Sequence, residues 1–387
     1  ASANTNGVLT YKTNNIQKVK KLKLGIYGGT FDPVHKEHVN IANASIEELG
    51  LDKLIVLPIG EPPHKSITDV TEKKKRLKMC ELAFDNPKIE ISTYEMDKKG
   101  KSYTCETLEH FSADDVELYC IIGGDSLADI YTWKNPDEIF ALATIVVVGR
   151  EDYAHNEYIR KYMSKIIKLK YEPKDISSTE VRIRCQFGQS IDELVSEKVV
   201  EYINEHELYS EYRKMTKKVQ KMISEARYIH SMNTTICGVE LAKRAGVEPQ
   251  TAFIACALHD CAKGMTDYTE FKKKLKKEDM FIPEPVIHAF VASYIIKSEF
   301  GINDKDIKNA IKYHTTGRPN MSQLEKLVYV ADCIEKGRVY PGVEELRQAS
   351  KKNFERTFIL CLNSTFSVVI DKTMCPLTLD AIDFYGR

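Results

Sequence analysis

The chain has 387 residues, of which 43% are apolar and 29% are charged, and its 56 basic and 56 acidic side chains give a formal net charge of zero. One hydrophobic core seldom serves so long a chain, so we expect two or three domains. The balanced charge provides no bulk field that would attract nucleic acid or an anionic membrane. The basic runs at 73–76 and 272–277 are therefore interpreted as solvated helix faces.

No segment predicts membrane insertion or export. The longest apolar stretch, 139–149, is far shorter than the ~20 residues of a membrane helix and is typical of a buried strand. Residues 1–21 lack the apolar region of a signal peptide and are predicted to form a mobile tail. The ten cysteines include no CxxC pair, which indicates reduced thiols. We expect a cytoplasmic protein, and the sequence leaves open whether it is a homo-oligomer.

The first half alternates short apolar runs with amphipathic helical segments. Strands are predicted within 22–29, 51–60, 116–124 and 144–150, and each run includes Gly or Pro near its end. This pattern predicts an α/β fold with a parallel, doubly wound sheet. Ligands of such sheets bind beyond the carboxyl ends of the strands, where these glycine turns fall.

The first strand leads into the segment GGTFDPVHKEH at 28–38. It matches neither GxxxxGK[ST] nor GxGxxG, the two common phosphate-binding patterns. Gly28, Gly29 and Thr30 nevertheless allow backbone amides to approach a phosphate closely. Pro33 suits the first turn of a helix beginning near Val34.

His35 and His38 are then expected on one face of that helix, near its positive end. A phosphoryl group held there would meet backbone donors and two imidazoles, which together stabilise a charged transition state. The pair alone is a weak signal for function. The zinc-protease pattern HExxH is excluded because it requires histidines four residues apart.

The segment from about 22 to 210 resembles the bacterial nicotinate mononucleotide adenylyltransferases, which open with GGTFDPxHxGH. The other matching segments follow in the family's order: PPHK (62–65), SYTCETL (102–108), GGDSLADIYTW (123–133), VVVGR (146–150) and DISSTEVR (175–182). The resemblance implies a Rossmann-like nucleotidyltransferase domain over 22–210. It also implies synthesis of deamido-NAD from ATP and nicotinate mononucleotide, with Mg²⁺ accompanying ATP.

The resemblance assigns catalysis to His35 and His38 and distributes substrate contacts along the chain. The ATP phosphates would meet the glycine turn and a second helix opened by Ser178, while Trp133 would stack on the pyridine ring. A different adenylyltransferase, such as one that uses pantetheine phosphate as the acceptor, is the alternative. Trp133 within GGDSLADIYTW favours nicotinate mononucleotide over that acceptor. The substrate-binding residues implied in this way are Gly28, Gly29, Thr30, Phe31, His64, Lys65, Tyr103, Thr104, Gly123, Asp125, Trp133, Arg150, Ser178, Thr179 and Arg182.

Position 37 departs from the family pattern. Relatives usually have Gly there, where the backbone passes close to the nucleotide, whereas this chain has Glu37. Two placements are compatible with the sequence. A side chain pointing outward along the helix would change little, and we prefer this placement. A side chain facing the adenine or ribose would weaken ATP binding.

The second half, after about residue 210, has helical periodicity with few β-branched runs and is predicted to be all-α. Histidines and aspartates recur on successive segments: RYIHS (227–231), LHDCAK (258–263), His288, YHTTG (313–317) and VADCIEKGR (330–338). A lone helical histidine is usually structural. The adjacent His259 and Asp260 change this expectation, because they offer an imidazole and a carboxylate to one cluster. Nitrogen and oxygen ligands favour Fe, Mn or Mg, and paired ions suit phosphoanhydride hydrolysis.

Residues 211–387 resemble the HD superfamily of metal-dependent phosphohydrolases, particularly its YqeK-like branch, which hydrolyses diadenosine tetraphosphate to two ADP. The resemblance implies a di-metal centre, with iron preferred. It assigns catalysis to Asp260 and phosphate contacts to Lys263 and Arg338. The metal ligands implied are His230, His259, Asp260, His288, His314 and Asp332.

Small departures from this second family remain. Ala292 and Ser293 replace the usual Gly-Ala, and Lys336 stands where Pro is common. None of these positions is an implied ligand, so activity is expected. Two alternatives stay open for the second domain, namely a nucleotide-binding regulatory module without turnover and a hydrolase of other nucleotides.

Overall fold

The computed structural model describes residues 20–60, 71–149, 156–277, 282–369 and 375–386. The chain forms two compact units, Ala1–Asp175 and Ile176–Arg387. Among the described residues, no helix has the length and apolar character needed to cross a bilayer. All ten cysteines lie within the described ranges, and none forms a disulfide.

The first unit is built on a six-stranded parallel sheet with the strand order β3-β2-β1-β4-β5-β6. The four predicted strands are confirmed as β1, β2, β4 and β5. The short edge strands β3 and β6 were not predicted. The strand bounds are β1 (Leu22–Gly29), β2 (Lys53–Pro58), β3 (Ile89–Ile91), β4 (Val116–Gly123), β5 (Ala143–Val148) and β6 (Ile166–Lys168).

Helices connect the strands and cover the sheet. Buried aliphatic side chains from β1, β2, β4 and β5 form the core with those of the covering helices. The stretch 139–149 is only partly a strand, because its first four residues complete α6 before β5 begins. The helix bounds are α1 (Lys36–Leu49), α2 (Lys73–Ala83), α3 (Tyr94–Asp97), α4 (Thr104–Phe111), α5 (Gly124–Ala128), α6 (Pro136–Leu142) and α7 (Glu157–Arg160).

The strand order places the expected ligand crevice at β1 and β4. The sheet runs outward from these two neighbours in opposite directions, and ligands of open parallel sheets bind at such a switch point. Gly29 ends β1 and Gly123 ends β4. The glycine turn and the GGDSLADIYTW segment therefore begin at the same edge of the sheet.

The basic run 73–76 does not form a uniformly solvated face. Lys74 is exposed, but Arg76 is fully buried. Its guanidinium donates to Thr71 O at 3.0 Å, Thr30 O at 2.7 Å and Gly60 O at 3.1 Å. The interpretation of this run as a solvated face is wrong for Arg76, which supports the glycine turn. In the second run, Lys272, Lys273 and Lys274 are exposed as expected.

The second unit contains only helices among its described residues, as predicted. Its core is one cluster of buried side chains contributed by most of these helices. The helix bounds are α8 (Ser178–Phe187), α9 (Glu197–Glu205), α10 (Arg213–Met222), α11 (Glu225–Ala245), α12 (Pro249–Leu258), α13 (Thr269–Lys277), α14 (Ile287–Phe300), α15 (Lys305–Lys312), α16 (Gln323–Ile334), α17 (Val343–Lys352), α18 (Phe354–Val369) and α19 (Pro376–Tyr385).

The division between the compact units falls after residue 175, whereas the sequence predicts a domain boundary near 210. Helix α8 explains the difference. Its Ile183 and Phe187 belong to the buried cluster of the helical unit, together with Val219 and Tyr228. The boundary near 210 remains a prediction about domain identity, and α8 packs with the helices that follow it.

Two candidate active sites

The first candidate site begins at the turn after β1. A Cβ atom on Gly29 would lie 2.9 Å from the Phe31 ring, so a larger residue would displace that ring. Phe31 has a left-handed backbone (φ 47°), and its buried ring contacts His38 edge-on at a centroid distance of 5.0 Å. The Phe31 side chain is therefore a support for the turn and for His38. Gly28 and Thr30 remain accessible.

His35 and His38 are brought together as predicted, although α1 begins two residues later than expected. His35 is the N-cap of α1, and His38 lies in its first turn. Their rings stack with centroids 3.6 Å apart. The backbone N–H of His35 donates to His38 Nδ1 at 3.1 Å. Because Nδ1 accepts, the proton of neutral His38 resides on Nε2, which makes that atom a hydrogen-bond donor.

Burial keeps both imidazoles neutral near pH 7. It lowers the pKa of His35 to about 4, even though the nearby Glu37 raises it. Burial also lowers the pKa of His38 well below its usual value, and His35 acts in the same direction. The pair therefore offers neutral hydrogen-bonding groups to an anion.

Glu37 does not point outward into solvent, so the preferred placement is wrong. Its side chain is buried, with only 2% of the residue exposed. The carboxylate accepts from Asn40 Nδ2 at 2.9 Å, Tyr171 Oη at 2.7 Å and Lys174 N at 3.0 Å. These donors stabilise a buried carboxylate in the first turn of α1. Glu37 thus links α1 to the segment after β6.

The other described residues of the predicted mononucleotide site lie after β4 and at the start of α4. Tyr103 is the N-cap of α4, followed by Thr104, and the Lys134 ammonium lies 4.5 Å from the Tyr103 ring centroid. Asp125 is exposed in the first turn of α5. Trp133 is partly buried against the core of the first unit, so it has both a packed face and an accessible one.

Six predicted substrate contacts cannot be placed beside these residues. His64, Lys65 and Arg150 lie outside the described residues. Ser178, Thr179 and Arg182 lie in the first turns of α8, whose predicted start is confirmed, but α8 belongs to the second compact unit. The roles of all six stay predictions.

The second candidate site gathers all six predicted metal ligands from successive helices of the helical unit. His230 is in α11, His288 is in α14 and Asp332 is in α16. His259 and Asp260 follow α12 directly, and His314 follows α15. Three groups of these side chains have ligand atoms within 4.8 Å of one another: His230, His259 and Asp260; His259, His314 and Asp332; and Asp260, His288 and His314.

Asp260 lies at the centre of this cluster, and its two oxygens face different histidines. Oδ2 lies 3.8 Å from His230 Nε2 and 3.5 Å from His259 Nε2. Oδ1 lies 3.1 Å from His288 Nε2 and 3.4 Å from His314 Nε2. A carboxylate placed in this way has one oxygen available to each of two positions.

The tautomers of two histidines fit a metal site. His259 Nδ1 lies 2.6 Å from Cys256 O, and His314 Nδ1 lies 2.8 Å from Ile311 O. A carbonyl oxygen only accepts, so both Nδ1 atoms bear the proton and both Nε2 atoms present lone pairs to the cluster. Among the described residues, none satisfies the buried Asp260 Oδ1 with a hydrogen bond of good geometry. Lone pairs and carboxylate oxygens that converge in this way fit divalent cations.

Further short contacts strengthen this fit. His230 Nε2 lies 3.3 Å from His259 Nε2 and 2.9 Å from Asp332 Oδ1. Burial lowers the pKa of His259 to about 3. Burial also acts to lower the pKa of His230, but the hydrogen bonds to Asp332 and Glu335 outweigh it and raise that pKa above its usual value, so metal binding at His230 displaces a proton. Burial alone would raise the pKa of Asp260, but His259 and the other neighbouring histidines lower it well below its usual range. Neutral imidazoles and ionised carboxylates are the protonation states that bind metals.

The two predicted phosphate contacts border the cluster. Lys263 Nζ lies 3.4 Å from His288 Nε2 and 3.9 Å from Asp260 Oδ1. Arg338 forms an ion pair with Asp332 through Nη2 and donates from Nε to Asp332 O at 2.8 Å. Both cations are placed where phosphate groups near the cluster would be neutralised.

Two further charged residues contact the cluster, and the sequence analysis did not assign them. Arg227 Nη1 lies 2.9 Å from Asp260 Oδ2. Glu335 is buried and lies 3.0 Å from His230 Nδ1, which it holds with Nε2 directed at the cluster. Their spacing from the predicted ligands could have identified them in the sequence. Arg227 precedes His230 by one helical turn, and Glu335 follows Asp332 by the same interval.

Comparison with known proteins assigns the two candidate sites to two different families. The cytidylyltransferase-like family matches residues 26–184, and the HD domain family matches residues 227–337. A probable nicotinate-nucleotide adenylyltransferase of Clostridium botulinum is 43% identical over 197 residues, which cover 49% of this chain and 98% of the relative. A Mycoplasma genitalium protein named probable nicotinate-nucleotide adenylyltransferase/Ap4A hydrolase is 28% identical over 367 residues, which cover 91% of this chain and 100% of that protein.

A solved structure is also similar to part of the chain. It is a predicted HD superfamily hydrolase involved in NAD metabolism from Clostridium acetobutylicum, with 33% identity, coverage of 45% of this chain and 96% of that one, and a TM-score of 0.41.

The parallel sheet with its paired histidines and the helical His/Asp cluster define a nucleotidyltransferase domain followed by an HD-type hydrolase domain. The protein is therefore an enzyme of the nucleotidyltransferase class. Through its first half, the chain belongs to the nicotinate-nucleotide adenylyltransferase family, and its second half contains an HD domain.

Proposed function

We propose that the chain is bifunctional. Its first domain joins ATP and nicotinate mononucleotide to form deamido-NAD and pyrophosphate, and its HD domain cleaves diadenosine tetraphosphate symmetrically to two ADP. The observation with the most weight is the alignment with the Mycoplasma genitalium protein over its whole length, since that protein's name includes both activities. The two separate sites within this chain support the proposal.

In adenylyl transfer, the mononucleotide phosphate attacks the α-phosphorus of ATP, and pyrophosphate leaves with the electrons of the broken bond. His38 Nε2–H and the amides of Gly29 and Thr30 donate to the oxygens on which negative charge develops. His35 holds His38 through its backbone N–H and stacked ring. Mg²⁺ accompanying ATP would supply further neutralisation of the phosphate charges.

The acceptor site uses residues near the end of β4. Trp133 stacks on the pyridine ring, and Tyr103 with Thr104 and neighbouring backbone amides meets the pyridine carboxylate. Gly123 and Asp125 meet the ribose. His64 and Lys65 bind the attacking phosphate, and Arg150 binds the nucleotide.

The remaining ATP phosphates are assigned to α8. Ser178 and Thr179 open this helix, whose N-terminus attracts anions, and Arg182 adds a planar donor. Ser177 caps the helix through a hydrogen bond of 3.0 Å from Glu180 N. This cap holds the first turn in place for phosphate binding.

In the HD domain, six side chains are proposed to hold two divalent ions, with iron preferred over manganese and magnesium. Such ions lower the pKa of water and polarise phosphoryl oxygens. Asp260 would be the shared ligand, since each of its oxygens faces a different pair of histidines. Lys263 and Arg338 bind the outer phosphates. The six ligands are His230, His259, Asp260, His288, His314 and Asp332.

Product analysis on the full chain tests this proposal. With ATP and Mg²⁺, nicotinate mononucleotide should yield deamido-NAD and pyrophosphate, whereas pantetheine phosphate should yield no product. Diadenosine tetraphosphate should yield ADP alone, after reconstitution with Fe²⁺, Mn²⁺ or Mg²⁺ in separate samples. Asymmetric products, AMP and ATP, or binding without cleavage would contradict the assignment of the HD domain. Equal use of pantetheine phosphate would contradict the assignment of the first domain.

A further inference from the structure

Helix α8 belongs to the transferase by sequence and to the hydrolase by packing. The cytidylyltransferase-like match extends to residue 184, past the start of the second compact unit at Ile176. Ile183 and Phe187 are nevertheless part of the buried core of the helical unit. Tyr228 Oη donates to Phe187 O at 2.8 Å, which ties the end of α8 to α11, the helix that contains His230.

The first turn of α8 is also bonded to the helical unit. Ser177 Oγ donates to Glu240 Oε1 in α11 at 2.6 Å. Glu180 is buried, and its Oε1 accepts from Arg184 Nη2 at 2.8 Å and from Lys336 Nζ. Glu180 directly follows Thr179 and precedes Arg182 by two residues, so this contact lies within the proposed phosphate-binding turn.

Lys336 belongs to the loop that follows α16, the helix that contains Asp332. It follows Glu335, the residue that orients His230, and precedes Arg338 by two residues. The loop is tightly held. Gly337 N donates to the Glu335 carboxylate, and a Cβ on Gly337 would lie 3.0 Å from it. Arg347 Nη2 donates to Glu335 O and to Arg338 O, each at 2.8 Å.

We propose that Glu180 and Lys336 are positioning residues that couple the two active sites, so that ATP phosphates bound at α8 change the affinity of the HD site for dinucleoside polyphosphates. This inference rests on the proposed function, because it takes Ser178, Thr179 and Arg182 as phosphate contacts. The Lys336–Glu180 pair is a direct link between the phosphate-binding turn of one reaction and the loop that orients a metal ligand of the other.

Coupling of this kind is reciprocal. If a bound ATP analogue alters the affinity for diadenosine tetraphosphate, the latter alters the affinity for the analogue by the same factor. One ion pair whose lysine is 49% exposed and whose carboxylate is 10% exposed limits the size of the effect. We expect a factor of about two- to five-fold.

The test measures the KM for diadenosine tetraphosphate in the metal-loaded full chain, with and without α,β-methylene-ATP. In wild type, the ATP analogue should change this KM by about two- to five-fold. In Lys336→Met, the ratio of the KM values measured with and without the ATP analogue should be one, while each reaction, measured alone, retains its kcat. Lys336→Arg should preserve the ratio, and Glu180→Gln should reduce it. Because the Lys336 side chain is half exposed, its two substitutions leave the core intact.

Lys218→Met is the matched control, since Lys218 is about as exposed as Lys336 and its ion pair of 2.8 Å with Glu299 touches neither site. It should behave as wild type. A ratio of one in wild type would overturn the inference, as would an unchanged ratio in Lys336→Met, which would show direct competition at the HD site. Loss of either activity in wild type would instead contradict the proposed function.

Discussion

Replacing Arg76 with Met should destabilise the first unit and impair adenylyl transfer. The fully buried guanidinium donates to the carbonyl oxygens of Thr71, Thr30 and Gly60. A hydrogen bond to a charged group contributes about 1.5–3 kcal/mol, and these bonds share one donor group, so their contributions do not simply add. We expect a loss of about 3–5 kcal/mol in the free energy of unfolding, the range for breaking a buried charged network.

Urea unfolding followed by tryptophan fluorescence measures this effect. Trp133 is the only tryptophan of the chain and lies in the first unit, so its emission reports on that unit separately from the helical one. Lys74→Met, on the exposed side of the same helix, is the control and should change stability by no more than about 0.5 kcal/mol. An Arg76→Met variant within about 1 kcal/mol of wild type would refute the argument that this arginine holds the glycine turn.

Three further predictions address the two sites. Trp133→Ala should raise the KM for nicotinate mononucleotide more than that for ATP, because only the former loses its stacking surface, and equal changes would indicate a purely structural tryptophan. Because the pKa of His35 is about 4 when folded and about 6.5 when unfolded, native protein binds fewer protons between these values, so stability should fall as pH drops from 6.5 to 4. His35→Gln should remove about 3 kcal/mol of that fall, and an unchanged profile would contradict the pKa shift. Glu335→Gln should weaken metal binding by about 10- to 100-fold in chelator competition, and unaltered affinity would mean that Glu335 does not orient His230.

Much of the architecture was predictable because it depends on local pattern. Strands β1, β2, β4 and β5 are apolar runs that end at or just before Gly or Pro, and such runs have few alternatives in a parallel sheet. The edge strands β3 and β6 have three residues each, too few to show a period. The boundary between compact units was not predictable, since the apolar residues of α8 do not specify which core they join.

The site residues divide in a similar way. The histidines of the cluster were predictable as candidate ligands because their order matches a known family, and the structure brings them together. Glu37 and Arg76 were misplaced because their burial depends on partners distant in sequence: Tyr171 for the first, and Thr30 and Gly60 for the second. A charged residue is normally exposed unless such partners exist, and periodicity cannot reveal them.

One chain is proposed to contain two chemistries carried by different residues, and variants that separate them test this claim most directly. Both reactions and the bound metal should be measured in purified His38→Ala and Asp260→Ala. His38→Ala should lower the kcat of adenylyl transfer by at least about 10²-fold, the scale of losing one oxyanion donor, and leave diadenosine tetraphosphate cleavage unchanged. Asp260→Ala should abolish cleavage and lower the metal content well below that of wild type, with adenylyl transfer intact. Normal synthesis in His38→Ala, or full metal content with normal cleavage in Asp260→Ala, would contradict the account.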